Sequence, residues 1–393
     1  MYLSKRKLIC FILLMPIFQP IYLDYITTNF HFYTLLQYAS LAYILIGLVQ
    51  RRTRLSNVSL LAIIMQLWIL LATIIGNGYF NEAFRLCRCI AYTFLVFDFY
   101  KDQFELLLKQ LLLHSEICIY ANLFTLLIAP NGFLSRNNSA YGMTQEWFLG
   151  ADAYFIMWIL PALVIAWIYA FRFKRNKRAI IISLASIVTE IIRGSGTGMV
   201  AVSVFFIVML LPFVKKFLTP LRCACIGAII FVSIILFRRT DFVSPILDLL
   251  GKDVTFTGRL TIWDNAISCI LNKPIFGYGV LTNDTMVNFL GRSSTGIWAG
   301  ATHCHCQFLQ IAFQGGFIAL LLLISIIGID IYKCTKIWPN RMAQMVGVSI
   351  AIYIIMSITE VFSFPIMYMI FPLINLACDW EEGRSLKLKG EMK

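Results

Sequence analysis

Two histidines stand one residue apart in His303-Cys304-His305-Cys306, just before a long apolar run. A neutral imidazole takes a proton near neutral pH, so either ring suits a general base. A second set of residues carries fixed positive charge away from the main basic groups. It comprises Arg85, Arg88, Arg136, Arg193, Arg238, Arg239, Arg259 and Arg292. Guanidinium groups grip phosphate oxygens through paired hydrogen bonds. Arg193 precedes Gly194-Ser195-Gly196-Thr197-Gly198, between two short apolar runs. Small residues let the chain reverse there. A helix starting near Ser195 or Thr197 then offers free N–H groups and a positive dipole end to an anion. The competing reading is a tight helical hairpin with an arginine reaching to the interface. Arg259 lies in Thr257-Gly258-Arg259-Leu260, ahead of a helical apolar spacing of Leu260, Trp263, Ile267 and Ile270. Thr257 is placed to cap that helix, and Arg259 falls near its start. A cation there opposes the helix dipole, so something other than helix stability accounts for it. Together these residues suit proton abstraction beside an anionic substrate.

Other titratable groups read as structural. His303 to Cys306 resembles a metal-ligand run, but four adjacent residues cannot all point one way, and zinc ligands are usually spaced two to four apart. No metal is assigned. The eleven cysteines are odd in number and scattered, which argues against a disulfide framework. His114 and Glu116 fall within an apolar run and read as an internal contact. Glu190 and Glu360, near the ends of such runs, read as partners for arginines.

The elements that must position these groups follow from composition. Of 393 residues, 60% are hydrophobic and 13% charged, with a mean hydropathy of +0.79. Soluble domains are far less apolar and more charged, which excludes a soluble fold, and disorder is excluded with it. Apolar runs occupy about 8–22, 33–49, 57–76, 86–99, 106–129, 150–170, 179–192, 197–213, 221–237, 306–331, 343–359 and 361–378. The expectation is an all-α polytopic membrane protein of about twelve transmembrane helices. Outer-membrane barrels need short alternating strands and are excluded. The first run is expected to remain as an uncleaved helix.

Basic residues give the orientation. They gather at Lys5 to Lys7, Arg51 to Arg54, Lys101 and Lys109, Arg172 to Arg178, Lys215, Lys216 and Arg222, Lys333 to Arg341, and Arg384 to Lys393. All fall on one side if the runs alternate, which places both termini in the cytoplasm. This rule also accounts for the net charge of +13, so nucleic acid is not implied. The chain then divides into a transmembrane bundle over 1–237, a large outer loop with short helices over 238–304, and helices with a cytoplasmic tail over 305–393. A smaller outer segment covers about 130–150. No P-loop or dinucleotide fingerprint is present, so neither an ATP-driven pump nor a dinucleotide enzyme is indicated.

The order Thr257-Gly258-Arg259, Trp263, Asn272-Lys273-Pro274, Gly277-Tyr278-Gly279, His303-x-His305, Leu309 and Gly316 resembles the O-antigen ligase and Wzy-type polysaccharide polymerase superfamily. The resemblance is specific over about 257–320 and weaker over 190–205. It implies a metal-independent glycosyltransferase of the membrane-embedded, GT-C-like kind, without a cofactor. The implied donor is a glycan on undecaprenyl pyrophosphate, the partners a glycan acceptor and membrane lipid, with a chain-length regulator as a further candidate. The implied location is the bacterial cytoplasmic membrane. By position, Arg259 matches the family's loop arginine, and His305 and His303 its two histidines. Arg259 and Arg193 would neutralise the pyrophosphate, helped by Arg292 or Arg239, while His305 activates the acceptor hydroxyl. Two positions depart from the pattern. Cys306 stands where asparagine is usual. Gly196 stands where the turn often carries arginine, so Arg193 would substitute from one turn earlier. A polymerase is the favoured role as the commoner one. A ligase is the alternative within the family. A flippase, or a structural or sensor protein, is the alternative outside it.

Overall fold

The computed structural model describes residues 4–138, 142–210, 217–238, 256–291 and 300–391. The first half is built from α1 (Lys5–Leu14), α2 (Ile21–Thr27), α3 (Phe32–Gln50), α4 (Asn57–Ile75), α5 (Phe80–Phe99) and α6 (Phe104–Ile128). After two short strands, β1 (Leu134–Asn138) and β2 (Gly142–Glu146), come α7 (Phe155–Phe173), α8 (Lys177–Arg193), α9 (Gly196–Leu210) and α10 (Pro220–Ile235). The remainder is α11 (Phe256–Asn272), α12 (Asn283–Leu290), α13 (Gln307–Lys336), α14 (Arg341–Met356), α15 (Pro365–Tyr368) and α16 (Ile370–Glu391).

The chain is predominantly helical. Among the described residues, five helices, or helices with a short 3-10 turn at their start, are long and apolar enough to cross a membrane: 32–50, 57–75, 101–128, 152–173 and 307–336. Three shorter apolar helices are α9, α10 and α14. The count of about twelve spans is thus not reproduced by length and composition. The first expected run breaks into α1 and α2, because Pro16 and Pro20 remove donors that a continuous helix needs. The all-α expectation also needs one correction. The 130–150 segment contains the antiparallel pair β1–β2, with Leu134 opposite Glu146 and Arg136 opposite Thr144.

The core surrounds α7, in which every residue from Phe155 to Ala166 is buried, Pro161 included. Helices at the rim do the reverse. On α3, Leu35, Ile46 and Val49 are 62%, 58% and 76% exposed. Such apolar outer faces suit a lipid solvent.

The helix ends form two faces. At one, Trp380 Nε1 donates to Lys101 O, Lys101 Nζ to Arg54 O, and Arg51 to Phe99 O. Arg172 pairs with Glu105 and Lys333 with Asp379 at the same face. Basic groups from four parts of the sequence are thereby joined at one end. The site lies at the other.

Candidate active site

The segment between α11 and α12 forms a wedge. Residues 274–280 run between α4 and the first half of α13. Tyr278 N donates to Phe313 O and Gly279 N to Gln314 O, at 2.8 and 2.9 Å. On the other side Tyr79 N donates to Val280 O, and Val280 N to Thr73 Oγ1. Phe276 stacks on Trp68, whose Nε1 donates to Gly315 O. α13 is broken to admit the wedge. Gly316 has φ +66 and ψ −167, a conformation essentially reserved for glycine, and Phe317 N turns to Pro274 O. Gly277 and Gly279, read from sequence as a turn, both have positive φ.

α11 packs across this wedge through a buried stripe of Ile262, Trp263, Ala266 and Ile270, against Leu309, Ala312 and Phe313 of α13. Leu260 and Ile267 flank the stripe as half-buried contacts. The helix already includes Phe256, so Thr257 lies inside it and is not its cap. Arg259 sits in the first turn, half-buried. Asn265 Nδ2 donates to Leu290 O and ties α11 to α12. Arg238 pairs with Asp264.

The histidines occupy the short loop leading into α13. Their rings lie 3.9 Å apart between centroids. His303 Nδ1 is 3.2 Å from Thr302 Oγ1. Cys304 and Cys306, each following one of the histidines, are fully buried in the apolar cluster under α11. Cys304 N donates to Gln310 Oε1. His305 has φ +48, an uncommon conformation for a residue other than glycine. Cys306 is the N-cap residue of α13, and its side chain makes no capping hydrogen bond. Burial holds His303 down at about 4, with Arg259 adding to the effect. His305 is lowered as well, by burial first, then by His303 and Arg259. Both rings are therefore neutral at pH 7 and can accept a proton.

The charge of Arg259 acts on three groups, His303, His305 and Glu360. Glu360 lies in the connection after α14 and takes a 3.4 Å hydrogen bond from Thr197 Oγ1. Burial raises its carboxyl to about 7, against the pull of Arg259. The connection is clamped by Gln307, which is 1% exposed. Its N–H donates to Ser357 O, its Oε1 accepts from Phe362 N at 2.7 Å, and its Nε2 donates to Tyr368 Oη at 2.8 Å. Sequence reasoning missed Gln307. The available signal was an amide at the very start of an apolar run. For Glu360 the sequence favours structural pairing with an arginine over catalysis.

The α8–α9 turn forms as expected. α9 starts at Gly196, and Ser195 Oγ accepts from Gly198 N. Arg193, at the end of α8, is exposed. Its Nε donates to Pro130 O at 3.3 Å, and its guanidinium lies 5.6 Å from the Trp147 ring. It is thus placed on the side of the strand pair, while Thr197 of the same turn meets Glu360. Glu190 is 3% exposed, and neither carboxylate oxygen has a hydrogen-bond partner among the described residues. The arginine pairing expected for Glu190 is not seen among the described residues, and the nearby Arg193 is turned to Pro130 and Trp147. Gly194 and Gly198 make the room Glu190 occupies, since a Cβ at either would lie 2.2 or 2.3 Å from its Oε2. Arg239 and Arg292 lie outside the described residues, as do Lys215 and Lys216. His114 is a packing residue. It stacks on Phe11 and Phe18 and bonds Phe11 O through Nε2. Glu116 pairs with Arg178.

Beside His303 a cavity of about 180 Å³ opens between α4, α5 and α13. Thr302 and His303 form part of its wall.

Fold and site define a helical membrane protein with a buried histidine pair under the influence of an arginine. Residues 181–324 match the family model described as O-antigen ligase. That stretch, which is similar to the O-antigen ligase family, runs from α8 through the wedge and the histidines into α13. No curated protein matches the chain.

Proposed function

We propose that the protein polymerises oligosaccharide repeat units carried on undecaprenyl pyrophosphate, at the outer face of the bacterial cytoplasmic membrane. The observation that carries this reading is the grouping of Arg259 with His303 and His305 inside the family-matched stretch. The acceptor hydroxyl gives its proton to His305, with the tilted His303 ring 3.9 Å away between centroids. The freed oxygen bonds to the anomeric carbon, and the bond from that carbon to the pyrophosphate oxygen breaks. Undecaprenyl pyrophosphate leaves with the electron pair. Arg259 stabilises the charge that builds on it, the role that cations play at leaving phosphates. Arg193, Arg239 and Arg292 are the further cations proposed for the same group. Arg193 now holds a carbonyl, and a phosphate oxygen is a stronger partner for a guanidinium. Fixed cations in these positions supply the neutralisation that a divalent metal gives in other phosphate chemistry, so the reaction is proposed to be metal-independent. Arrival of the pyrophosphate also offsets Arg259, which raises the basicity of the adjacent imidazoles as the substrate binds.

A ligase transferring the finished glycan to an acceptor is the second reading, favoured by the description of the matched family. A deletion strain separates the two on a gel of surface glycan and lipid-linked intermediates. Single repeat units accumulating on the carrier, or as a one-unit surface product, are expected for a polymerase. Long polymer retained on the carrier assigns a ligase. Unchanged glycan in both fractions rejects the transferase and returns the protein to transport.

A further inference from the structure

The cavity beside His303 has a wall unlike the rest of the helical interior. Gln66 from α4, Asn283 from α12, and Gln310 and Gln314 from α13 line it, with hydroxyls from Thr302 and Ser363. Ile69, Ile90 and Ile311 supply apolar patches between them. No lysine or arginine is among the lining residues, and Glu82 is already held by Arg85 at 2.9 Å. Gln66 is 3% exposed, and its Nε2 has no hydrogen-bond partner among the described residues. A buried donor left unmet is costly and is rarely retained without a reason. Gln310 is oriented by the Cys304 N–H, which its Oε1 accepts.

Primary amides are the neutral side chains that both donate and accept in one plane. Sugar hydroxyls have the same double character, and the C–H faces of a pyranose ring match aliphatic patches. A volume of about 180 Å³ is on the scale of one such ring. A carboxylated sugar would find no cation on this wall. We propose that this cavity is the subsite for a neutral pyranose, the acceptor sugar whose hydroxyl is presented to the histidine pair. The assignment rests on the glycosyl-transfer reading and adds its acceptor class.

The test uses the full chain in lipid nanodiscs and saturation-transfer NMR with the methyl glycosides of glucose, N-acetylglucosamine and glucuronic acid. Transfer to the two neutral glycosides is expected, with little to the glucuronide. Gln66→Leu and Gln314→Leu should each weaken neutral-glycoside binding about ten-fold or more. Gln66→Leu removes an amide whose nitrogen is unpartnered, so its thermal unfolding should stay level or rise. A merely structural glutamine would lower it and leave sugar binding unchanged. Equal binding of glucuronide, binding that survives both variants, or no transfer from any glycoside overturns the proposal and leaves a water-filled cavity. The two readings fail separately. If His305→Asn leaves cellular glycan unchanged while Gln66→Leu abolishes sugar binding, the subsite stands and the transferase falls. If His305→Asn abolishes transfer while both glutamine variants bind sugar normally, the reverse holds.

Discussion

His305 sits at φ +48, so replacing it tests the backbone as well as the ring. Asparagine tolerates the left-handed region better than most residues, and His305→Asn isolates the loss of the imidazole. Glycan transfer in membranes carrying this variant should fall by roughly 10² to 10⁴-fold, the usual contribution of a general base. The pH profile carries more detail. Burial and Arg259 keep His303 at about 4, so kcat/KM should be level through neutral pH and fall only as the histidines protonate in acid. Arg259→Gln removes one of the two causes. Its acid limb should move upward, short of the ordinary histidine value because burial remains, while KM for the lipid-linked donor rises. An unmoved limb would separate Arg259 from the histidines. Glu360 has the opposite sign. Its carboxyl is raised to about 7, so between its ordinary 4.5 and 7 the folded protein holds more protons than the unfolded chain. Its contribution is present below that window and lost as pH rises through 7. Glu360→Gln should therefore flatten the decline of melting temperature over this range. Arginine and histidine stood out in the sequence because charge is rare in an apolar chain. Gln307 and Gln66 did not, because a lone amide in an apolar run looks like ordinary core. The partners of Gln307, Phe362 and Tyr368, lie 55 and 61 residues away.

At the scale of elements, the family-like glycines turn out to shape the backbone around the site. Gly316 breaks α13 so that residues 274–280 can lie against it, and a Cβ there would stand 2.1 Å from Ile275 O. Its φ and ψ alone cost another residue about 1–3 kcal/mol, before the clash is counted. Gly316→Ala should lower the melting temperature sharply and shift the histidine loop, since Gln310 in the same half-helix holds Cys304. Gly328, with nothing within 4 Å of its added Cβ, is the control, and Gly328→Ala should be neutral or mildly stabilising. A smaller effect is available at the start of α13. Cys306 occupies the N-cap without a capping bond. Cys306→Ser should stabilise by roughly 1 kcal/mol, read as a rise in melting temperature. Most helices were legible as apolar runs, because burial or lipid contact requires apolar side chains along their length. The break at Gly316 was not, since the run over 306–331 reads as continuous. Nor was the β1–β2 pair, whose residues Leu134 to Asn138 show no sustained alternation. The stripe of Trp263 and Ile270 was legible, because helical spacing alone placed both on one face.

At the scale of the molecule, the two faces divide the charge. Cations from 51–54, 101, 172 and 333 meet around Trp380 at one end, bonded to helix-end carbonyls or to Glu105 and Asp379. The opposite end carries Arg259, the histidines and the mouth of the amide-lined cavity. By the positive-inside rule, charge asymmetry of this kind predicts that the basic face lies on the cytoplasmic side. The proposed reaction requires the same orientation, because polymer assembled at the histidine end must already lie beyond the membrane. Cysteine accessibility tests both together. Asp284 and Arg54 are exposed at opposite ends. In intact cells stripped to the cytoplasmic membrane, Asp284→Cys should react with a membrane-impermeant maleimide, and Arg54→Cys only after permeabilisation. The native chain is the baseline, since Cys225 is exposed on α10. The reverse pattern would put the histidines in the cytoplasm. A glycan chain built there would then have to be exported whole, which the arrangement of Arg259, His303 and His305 offers no means to do.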